Sequence, residues 1–404
     1  MGNCCPVIIR TAMRVYIIML YWIKTSYEPN TAGENLVESR LKGILGCGER
    51  VTIVFLRPNI NFDRKEKVAG AETVYLWEMP SKVGKMGGRR KYLKYVVARL
   101  QSWCAFLKFV RNLKSEDVVI SEGIEEYFHF LFKSKAKIYF VRVEHPQAYG
   151  AKRLRAIQNH IKKKAECFYS QADGVFPLTT SLKEYFLSVG IKPEKITIVN
   201  MVVDDSRFVS LTKTPNVSKY IAYCGTVSIQ KDGVDDLIKS FALVHKVIPD
   251  VKLLIMGKMV SAEDERLIKD LIDNFDLNDF VILTGLISAT EMPQRLKDAA
   301  LLALTRTVNL QTTNGFPTKL AEYLLTENPV VVTRTGDISL FLKDGKSALL
   351  AEPGNIKEIA SKMIWALTHP EEAGIIGKAG AQVAKVNFNY KLEAKKMLKV
   401  INQK

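Results

Sequence analysis

The stretch Asn314-Gly315-Phe316-Pro317-Thr318-Lys319-Leu320-Ala321-Glu322 is the most informative part of this chain. It predicts a glycine-containing loop and then a helix with proline in the first turn, where the missing N–H of proline has no partner to lose. A helix start directs backbone N–H groups and the positive end of the helix dipole outward, which suits a phosphate. Glu322 shares one helix face with Lys319 and Thr318 because it follows them by three and four residues. The stretch therefore predicts an anion site with a carboxylate close by.

Short β-rich runs alternate with longer helical patterns along the chain. Strands are predicted at residues 14–20, 50–55, 73–77, 117–121, 138–143, 174–177 and 196–199, and then at 220–224, 252–256, 281–284, 301–304 and 329–333. Helices are predicted at residues 34–45, 233–247, 262–275 and 389–402. This alternation is typical of doubly wound parallel sheets, and 404 residues suffice for two domains of about 200 residues each. The sequence therefore predicts an α/β fold with two Rossmann-like domains that face a cleft.

The opening stretch and the strand after it resemble the donor-site signature of retaining glycosyltransferases of the group 1 family (glycosyltransferase family 4), which have the GT-B fold. The family pattern places two glutamates around a Gly-Phe core, at the spacing that Asn314 and Glu322 have here. Glu322 matches the second glutamate, whereas Asn314 is a departure from the first. The resemblance covers residues 135–404 well and residues 13–134 weakly. It implies that Glu322 binds the ribose, that Asn314 hydrogen-bonds the donor sugar, and that the donor is also held by Gly315, Phe316, Pro317, Thr318 and Lys319.

A second motif, at residues 223–235, combines a strand end, a glycine loop, a lysine and a helix start. This arrangement places a cation and backbone amides at the carboxyl ends of a parallel sheet, where open α/β folds bind ligands. In the resembled family an arginine and a lysine here neutralise the donor diphosphate. Lys231 matches the lysine, and Thr226, after Gly225, stands in place of the arginine. The missing charge is therefore assigned either to Lys319 or to Arg306.

Two further positions match family residues that flank the nucleobase. Gly257 follows the strand 252–256, and a glycine there would let a flat base approach the backbone closely. The alternative for Gly257 is an ordinary strand-to-loop glycine. Ile287 follows the strand 281–284. The resemblance implies that both residues contact the donor.

In the first half, residues 141–146 resemble a family segment that faces the donor sugar. Glu144 and His145 are therefore candidates for hydrogen bonding to the sugar or for binding the acceptor. A structural role is the alternative for the histidine. Gly33, in the first strand-to-helix loop, matches a family glycine that approaches the donor phosphate and the acceptor.

The predicted domain organisation has four parts. Residues 1–12 form a disordered leader, 13–205 an acceptor-binding domain and 206–385 a nucleotide-sugar-binding domain, with a linker near 204–218. Residues 386–404 form a helix that, as the resemblance implies, crosses back to the first domain. The apolar run at 15–23 is about half of what spans a bilayer, and no small-residue cleavage site follows it, so neither a transmembrane helix nor a signal peptide is predicted. The 6 cysteines show no metal-ligand spacing and are expected to be reduced cytosolic thiols.

The net charge of +17 is concentrated in one half of the chain, since residues 1–200 carry +15 and residues 201–404 carry +2. Such asymmetry indicates an acidic partner surface, either nucleic acid or an anionic membrane. The densest basic segments are 82–114, where aromatic residues are interleaved, and 152–164. A basic helix with aromatic residues on its other side fits an interfacial membrane contact. A solvated surface helix whose aromatic residues belong to the core is the alternative.

The sequence thus predicts a cytoplasmic glycosyltransferase, peripheral at the inner face of the membrane, that moves a sugar from a nucleotide-sugar donor to a hydroxyl acceptor. The resemblance implies a glycan or lipid-linked glycan acceptor, as in polysaccharide biosynthesis. No cofactor is expected, and no obligatory metal, because protein cations replace it and no suitable Asp-x-Asp motif is present.

Three other functions remain open at this point. A GT-B epimerase or phosphorylase would share the fold and would be identified by its products. A non-catalytic sugar-nucleotide-binding protein would bind the donor without transfer, which the departures at Asn314 and Thr226 suggest. A basic nucleic-acid-binding protein would bind RNA or DNA in a strongly salt-dependent way. No nucleic-acid-binding module is recognised in the sequence, so no nucleic-acid partner is expected.

Overall fold

The computed structural model of the protein describes residues 20–24, 32–56, 67–76, 89–122, 131–145, 166 and 168–403. The strands of its first sheet are β1 (Leu20–Lys24), β2 (Val51–Phe55), β3 (Lys67–Val68), β4 (Ala71–Tyr75), β5 (Val118–Glu122), β6 (Lys137–Arg142) and β7 (Gly174–Pro177). They lie in the order β3-β4-β2-β1-β5-β6-β7, and every pair is parallel except β3 with β4. The inner strands are short apolar runs, as expected for a sheet that is covered on both faces.

The second sheet is entirely parallel. Its strands are β8 (Tyr220–Cys224), β9 (Lys252–Met256), β10 (Val281–Gly285), β11 (Leu301–Leu304), β12 (Val330–Thr333) and β13 (Leu349–Ala351). They lie in the order β10-β9-β8-β11-β12-β13, so the strand order reverses beside β8. Open α/β sheets bind ligands outside the carboxyl ends of their strands at such a reversal.

Helices cover both sheets. In the first half they are α1 (Ala32–Gly46), α2 (Arg89–Arg111) and α3 (Thr180–Ser188). In the second half they are α4 (Ile229–Asp232), α5 (Val234–Val247), α6 (Ala262–Asn274), α7 (Met292–Asp298), α8 (Leu310–Asn314), α9 (Thr318–Leu325), α10 (Ile338–Phe341), α11 (Ile356–Thr368), α12 (Pro370–Asn387) and α13 (Tyr390–Asn402). The predicted two-sheet α/β architecture is confirmed.

Most of the predicted elements are present within a residue or two of their predicted bounds. Residues 196–199 are an exception, because they form an isolated bridge between Val175 and Ile196 rather than a strand. The short strands β3 and β13 were not predicted from the sequence. The strand predicted at 14–20 lies outside the described residues except for Leu20, which begins β1. The predicted leader at 1–12 and the basic segment at 152–164 also lie outside them.

The last helix packs on the first sheet. Met397 and Ile401 of α13 share an apolar cluster with Val37 and Leu41 of α1 and with the strands of that sheet. A second cluster covers the opposite face of the same sheet and includes Phe106 of α2. The chain therefore enters the second sheet and afterwards returns to the first. The predicted boundaries at residues 205 and 385 stay predictions.

The two halves also meet through hydrogen bonds next to the cleft. Thr180 of α3 donates its backbone N–H to Asp337 Oδ2 at 2.7 Å, and its hydroxyl lies 2.5 Å from Oδ1 of the same carboxylate. Thr179 Oγ1 donates to the backbone oxygen of Asn314 at 2.7 Å. These contacts fix the start of α3 against the end of α8 and the start of α10. No helix in the described part of the chain is both long enough and apolar enough to cross a membrane.

The contact between α1 and α13 leaves no room for a side chain at Gly43. A Cβ atom there would lie 2.5 Å from the backbone oxygen of Tyr390 and 2.8 Å from Cβ of Ala394. We expect Gly43→Ala to destabilise the protein by about 1–3 kcal/mol, the usual cost of overpacking, because backbone atoms must move. Thermal unfolding measures the effect.

Gly46→Ala is the matched control, because it lies at the end of the same helix with no atom within 4 Å of the added Cβ. We expect it to leave the unfolding temperature unchanged or to raise it slightly through helix propensity. Equal unfolding temperatures for the two variants would contradict the close α1–α13 contact.

Candidate functional site

The candidate site lies at the carboxyl ends of the second sheet, where two glycine loops touch. Gly225 follows β8 and Gly257 follows β9, and their φ values are +153° and +144°. A Cβ atom on Gly257 would lie 1.8 Å from the backbone oxygen of Gly225. Only glycine can occupy this position, because the neighbouring backbone fills the space. The close approach that the sequence led us to expect at Gly257 is thus made by another loop of the protein itself.

Lys319 packs directly over the first of these loops. A Cβ atom on Gly225 would lie 2.1 Å from Nζ of Lys319, so the lysine occupies the space that the missing side chain leaves. Nζ donates hydrogen bonds to Asp232 Oδ2 at 2.6 Å and to Tyr223 Oη at 2.9 Å, and it lies 4.5 Å from the centre of the Tyr223 ring. Lys319 is therefore held in one place by a carboxylate, a hydroxyl and an aromatic face.

Asp232 is the buried centre of this arrangement, and the sequence did not single it out. Only 1% of the residue is exposed, and Arg306 Nε lies 3.7 Å from its second carboxylate oxygen. Burial alone would raise the pKa of Asp232, but Lys319 and Arg306 together outweigh it, so the pKa lies below its ordinary value. One carboxylate thus faces two cations, which leaves a net positive charge here. Both residues that were considered as sources of the missing charge belong to this cluster.

Lys231 lies on α4, between this cluster and the first half of the chain. Its Nζ lies 3.9 Å from Oε1 of Glu144, which also accepts a hydrogen bond from Gln311 Nε2 at 3.2 Å. Burial lowers the pKa of Lys231, while Glu144 opposes the shift. The structure therefore brings Glu144 and Lys231 together across the cleft. Thr226 is exposed beside them, and its backbone oxygen lies 2.6 Å from Tyr223 Oη.

Asn314 ends α8 with its side chain turned back onto its own helix. Nδ2 donates to the backbone oxygen of Leu310 at 2.8 Å, and the residue is 8% exposed. At the next residue, Gly315, a Cβ would lie 2.9 Å from the oxygen of Gln311 and 3.7 Å from that of Val143. The segment before Glu144 therefore runs close to the loop between α8 and α9.

The helix α9 begins one residue later than the sequence predicted. Pro317 is its N-cap, with φ −71° and ψ 114°, and Thr318 is its first residue. Phe316 does not face the cleft, because its ring lies 5.1 Å from that of Phe388 and 5.6 Å from that of Phe341 in an aromatic cluster. Phe316 thus anchors the start of the helix in the core. The opening stretch supplies the site through Thr318, Lys319 and Glu322.

Glu322 lies one turn into α9 and borders a cavity of about 190 Å³ between the two halves. Its Oε1 accepts a hydrogen bond from Arg207 Nη1 at 2.6 Å. Burial raises the pKa of Glu322 above its ordinary value, and Arg207 opposes this shift. The opposite wall of the cavity belongs to α1 and includes Asn35 and Ser39. Arg207 was not singled out as a site residue, because its partner Glu322 is 115 residues away in the sequence.

The remaining predicted residues lie around this centre. His145 is 9% exposed, and its ring packs edge-on against Tyr185 with the ring centres 4.5 Å apart, so it is held as a packed aromatic residue. Gly33 lies exposed at the start of α1 with no atom within 4 Å of an added Cβ. Ile287 is partly buried against the core of the second sheet. Within the described residues, no group of histidine, cysteine, aspartate and glutamate side chains could hold a metal ion.

Comparisons with known proteins identify a similar family and similar relatives. Residues 209–383 match the family model described as glycosyl transferases group 1. Trehalose synthase from Thermococcus litoralis is 28% identical over 178 residues, which are 42% of this chain and 41% of that protein, so the match spans about two fifths of that relative's length. Mannosylfructose-phosphate synthase from Agrobacterium fabrum is 21% identical over 398 residues, 82% of this chain and 86% of that protein.

The fold is also that of solved structures. The crystal structure of Anabaena Alr3699/HepE in complex with UDP and glucose matches 96% of this chain and 100% of that chain, with a TM-score of 0.73 and 15% sequence identity. Sucrose-phosphate synthase from Thermosynechococcus elongatus matches with a TM-score of 0.71 and 14% identity, over 96% of this chain and 98% of that chain. The predicted GT-B fold is thereby confirmed.

Proposed function

We propose that the chain is a retaining glycosyltransferase of the group 1 family, which transfers a sugar from a nucleotide-sugar donor to a hydroxyl acceptor, because residues 209–383 match the model of that family. The observation that carries the proposal is the meeting of Lys231, Lys319 and Glu322 at the carboxyl ends of the second sheet. Two cations beside a helix start suit a diphosphate, and a carboxylate one turn further suits the hydroxyls of a ribose.

The reaction needs a stabilised leaving group more than it needs a proton donor. A nucleoside diphosphate gains negative charge as its bond to the sugar breaks, so fixed positive groups nearby lower the barrier. We assign this work to Lys231, to Lys319 and to the backbone N–H groups at the start of α9. Lys319 is held by Asp232 and Tyr223 before any donor binds, so little reorganisation is required. In this proposal protein cations serve where other transferases use a metal ion.

The sugar itself would lie where the two halves meet, near α8 and Glu144. An oxocarbenium-like sugar carries positive charge, which a carboxylate stabilises and a neutral amide does not. Asn314 supplies no charge, and its Nδ2 is already bonded to Leu310. Glu144 is a carboxylate, and it lies on the first-half side of the same region. The acceptor is assigned to the first half and to this side of the cleft, as a glycan or a lipid-linked glycan.

A second candidate, a sugar-nucleotide-binding protein without transferase activity, is favoured by the same neutral Asn314 and by the exposed Thr226. It shares the donor site with the enzyme and differs from it only in the absence of transfer. Product analysis with a bound donor therefore separates the two.

The proposed donor site can be tested with a thermal-shift panel of UDP, ADP and GDP and their glucose conjugates. UDP comes first because the Anabaena structure contains it. We expect at least one nucleotide to raise the unfolding temperature, since a ligand at a hundred times its Kd stabilises a protein by about 2.7 kcal/mol. Lys231→Gln should weaken the binding of that nucleotide about ten- to a hundred-fold, as expected for the loss of one charged hydrogen bond. The exposed Lys246, at the far end of α5, gives the control Lys246→Gln. A panel without any shift would contradict the proposal.

Within the opening stretch, Asn314→Ala should lower turnover less than Glu322→Ala. The side chain of Asn314 is bonded to its own helix, whereas Glu322 borders the cavity and pairs with Arg207. Donor hydrolysis and sugar transfer measure both variants, and Glu322→Gln separates loss of charge from loss of size. Equal losses, or a larger loss for Asn314→Ala, would show that the ranking is wrong.

We also propose that α2 contacts an anionic membrane surface. This helix carries seven lysine and arginine residues and no acidic residue, and its Val97 and Leu100 are 46% and 51% exposed. Changing Lys108 and Arg111 of α2, together with Lys114 just beyond its end, to glutamine should weaken binding to vesicles with anionic lipid on the order of 100-fold, at about 1 kcal/mol for each charge. Cosedimentation measures the binding.

The control for α2 changes three exposed lysines of the second half, Lys246, Lys357 and Lys378, to glutamine. It removes the same charge from a different surface, so it should leave vesicle binding within about threefold of the wild type if α2 makes the contact. An equal loss in both triple variants would indicate a diffuse charge effect and would contradict the assignment to α2.

A further inference from the structure

Arg207 lies in the connection between the two halves of the chain and binds the carboxylate of Glu322. It ends a short turn, Asp205–Arg207, in the connection between β7 of the first sheet and β8 of the second. Nη1 donates to Glu322 Oε1 at 2.6 Å, and Nη2 donates to the backbone oxygen of Ala289 at 3.1 Å. The guanidinium is thus anchored at two points, and its position relative to α9 is fixed.

Arg207 is the main positive charge that stabilises the ionised carboxylate of Glu322, because the other titratable groups nearby are paired elsewhere or uncharged. Lys319 lies on the same helix, but its ammonium is bonded to Asp232 and Tyr223. The thiol of Cys224 faces Glu322 from β8 and carries no charge at neutral pH, because burial and the nearby Glu322 carboxylate raise its pKa to about 12. Arg207 is therefore the direct counter-charge of this carboxylate.

The far wall of the cavity does not supply a second positive charge to Glu322. On α1, Glu38 and Lys42 face the cavity, and Lys42 forms an ion pair with Asp204. Asp204 and Glu38 are themselves acidic, so this wall offers Glu322 little net positive charge. Among the described residues, Arg207 is the side chain that donates a hydrogen bond to the carboxylate of Glu322, and it does so at Oε1. In a complex with the donor, Oε2 would accept hydrogen bonds from the ligand.

We propose that Arg207 is a positioning residue, which keeps Glu322 ionised and holds one of its oxygens so that the other accepts hydrogen bonds from the ribose hydroxyls of the donor. This inference rests on the proposed donor site. The 2′ and 3′ hydroxyls of a ribose can both donate to an ionised carboxylate, which has only acceptor sites. A protonated carboxyl would present a donor to the diol and lose one acceptor. Arg207 thus supports the preference for a nucleotide with an intact ribose.

The sign of the pH effect follows from these contacts. Burial raises the pKa of Glu322 and Arg207 opposes the shift, so removal of Arg207 raises the pKa further. The carboxylate is ionised only above its pKa. As the pH falls, an Arg207→Met variant should therefore begin to lose ribose recognition at a higher pH than the wild type does. Arg207→Lys keeps a positive charge and should retain recognition at neutral pH.

The experiment is calorimetric titration of the full chain with UDP, ADP and GDP, each beside its 2′,3′-dideoxy analogue, at pH 6.0, 7.0 and 8.5. For the nucleotide that the wild type binds, we expect the dideoxy analogue to bind about ten- to a hundred-fold more weakly at each pH. In Arg207→Met this preference should be smaller than in the wild type, and it should fall further as the pH is lowered from 8.5 to 6.0. Arg295→Met is the matched control, because Arg295 forms a similar pair with Glu291 on the exposed face of α7.

The outcomes separate this inference from the donor site on which it rests. A wild type that binds none of the three nucleotides would overturn the proposed function and this inference with it. A wild type that binds the nucleotide and its dideoxy analogue equally well would overturn the assignment of the ribose to Glu322 and the role of Arg207 with it, and would leave the diphosphate site standing. An Arg207→Met variant whose preference equals that of the wild type at all three pH values would overturn the role of Arg207, and so would one whose binding of both ligands falls equally at every pH.

Discussion

The buried carboxylate of Asp232 is the interaction on which the site depends. It lies at the junction of α4 and α5, where Gly233 takes a left-handed φ of +58° against the backbone of Thr305. From there it holds Lys319 in the first turn of α9. Without this carboxylate, the partly buried Lys319 and the buried Arg306 would both lose a negative partner, which is costly. The positive charge of the site is therefore held in place by a carboxylate that is buried in the core of the second half.

Much of the fold could be predicted because its strands are short apolar runs between helical patterns, and β7, β8, β9 and β11 agree with their predicted bounds. The strand β13 has only three residues, which is too short for any periodicity to show. Residues 196–199 have the composition of a strand, but in the structure they form a single bridge. Composition alone does not show whether such a run forms a full strand or only a bridge to its neighbour.

The site was predictable where its residues follow one another in the chain. Lys231 and Glu322 lie in local motifs, and both border the cleft as expected. Asp232 lies in the motif at residues 223–235 and Arg207 in the connection between the sheets, but neither role is visible in the sequence, because their partners are 87 and 115 residues away. Gly257 was recognised as a position of close approach, but the atom that approaches it belongs to Gly225. A glycine in the sequence shows that a position has no side chain, but it does not show which atoms occupy the space at its Cα.

The two places where the chain passes between the sheets lie side by side. Val203, in the outgoing connection, donates its backbone N–H at 3.0 Å to the oxygen of Phe388, in the returning one. Glu393 reinforces the pair, because it accepts the backbone N–H of Asn200 at 2.8 Å. A rotation of one sheet against the other keeps these hydrogen bonds only if it turns about this point, and it must then displace Thr179 and Thr180 from Asn314 and Asp337.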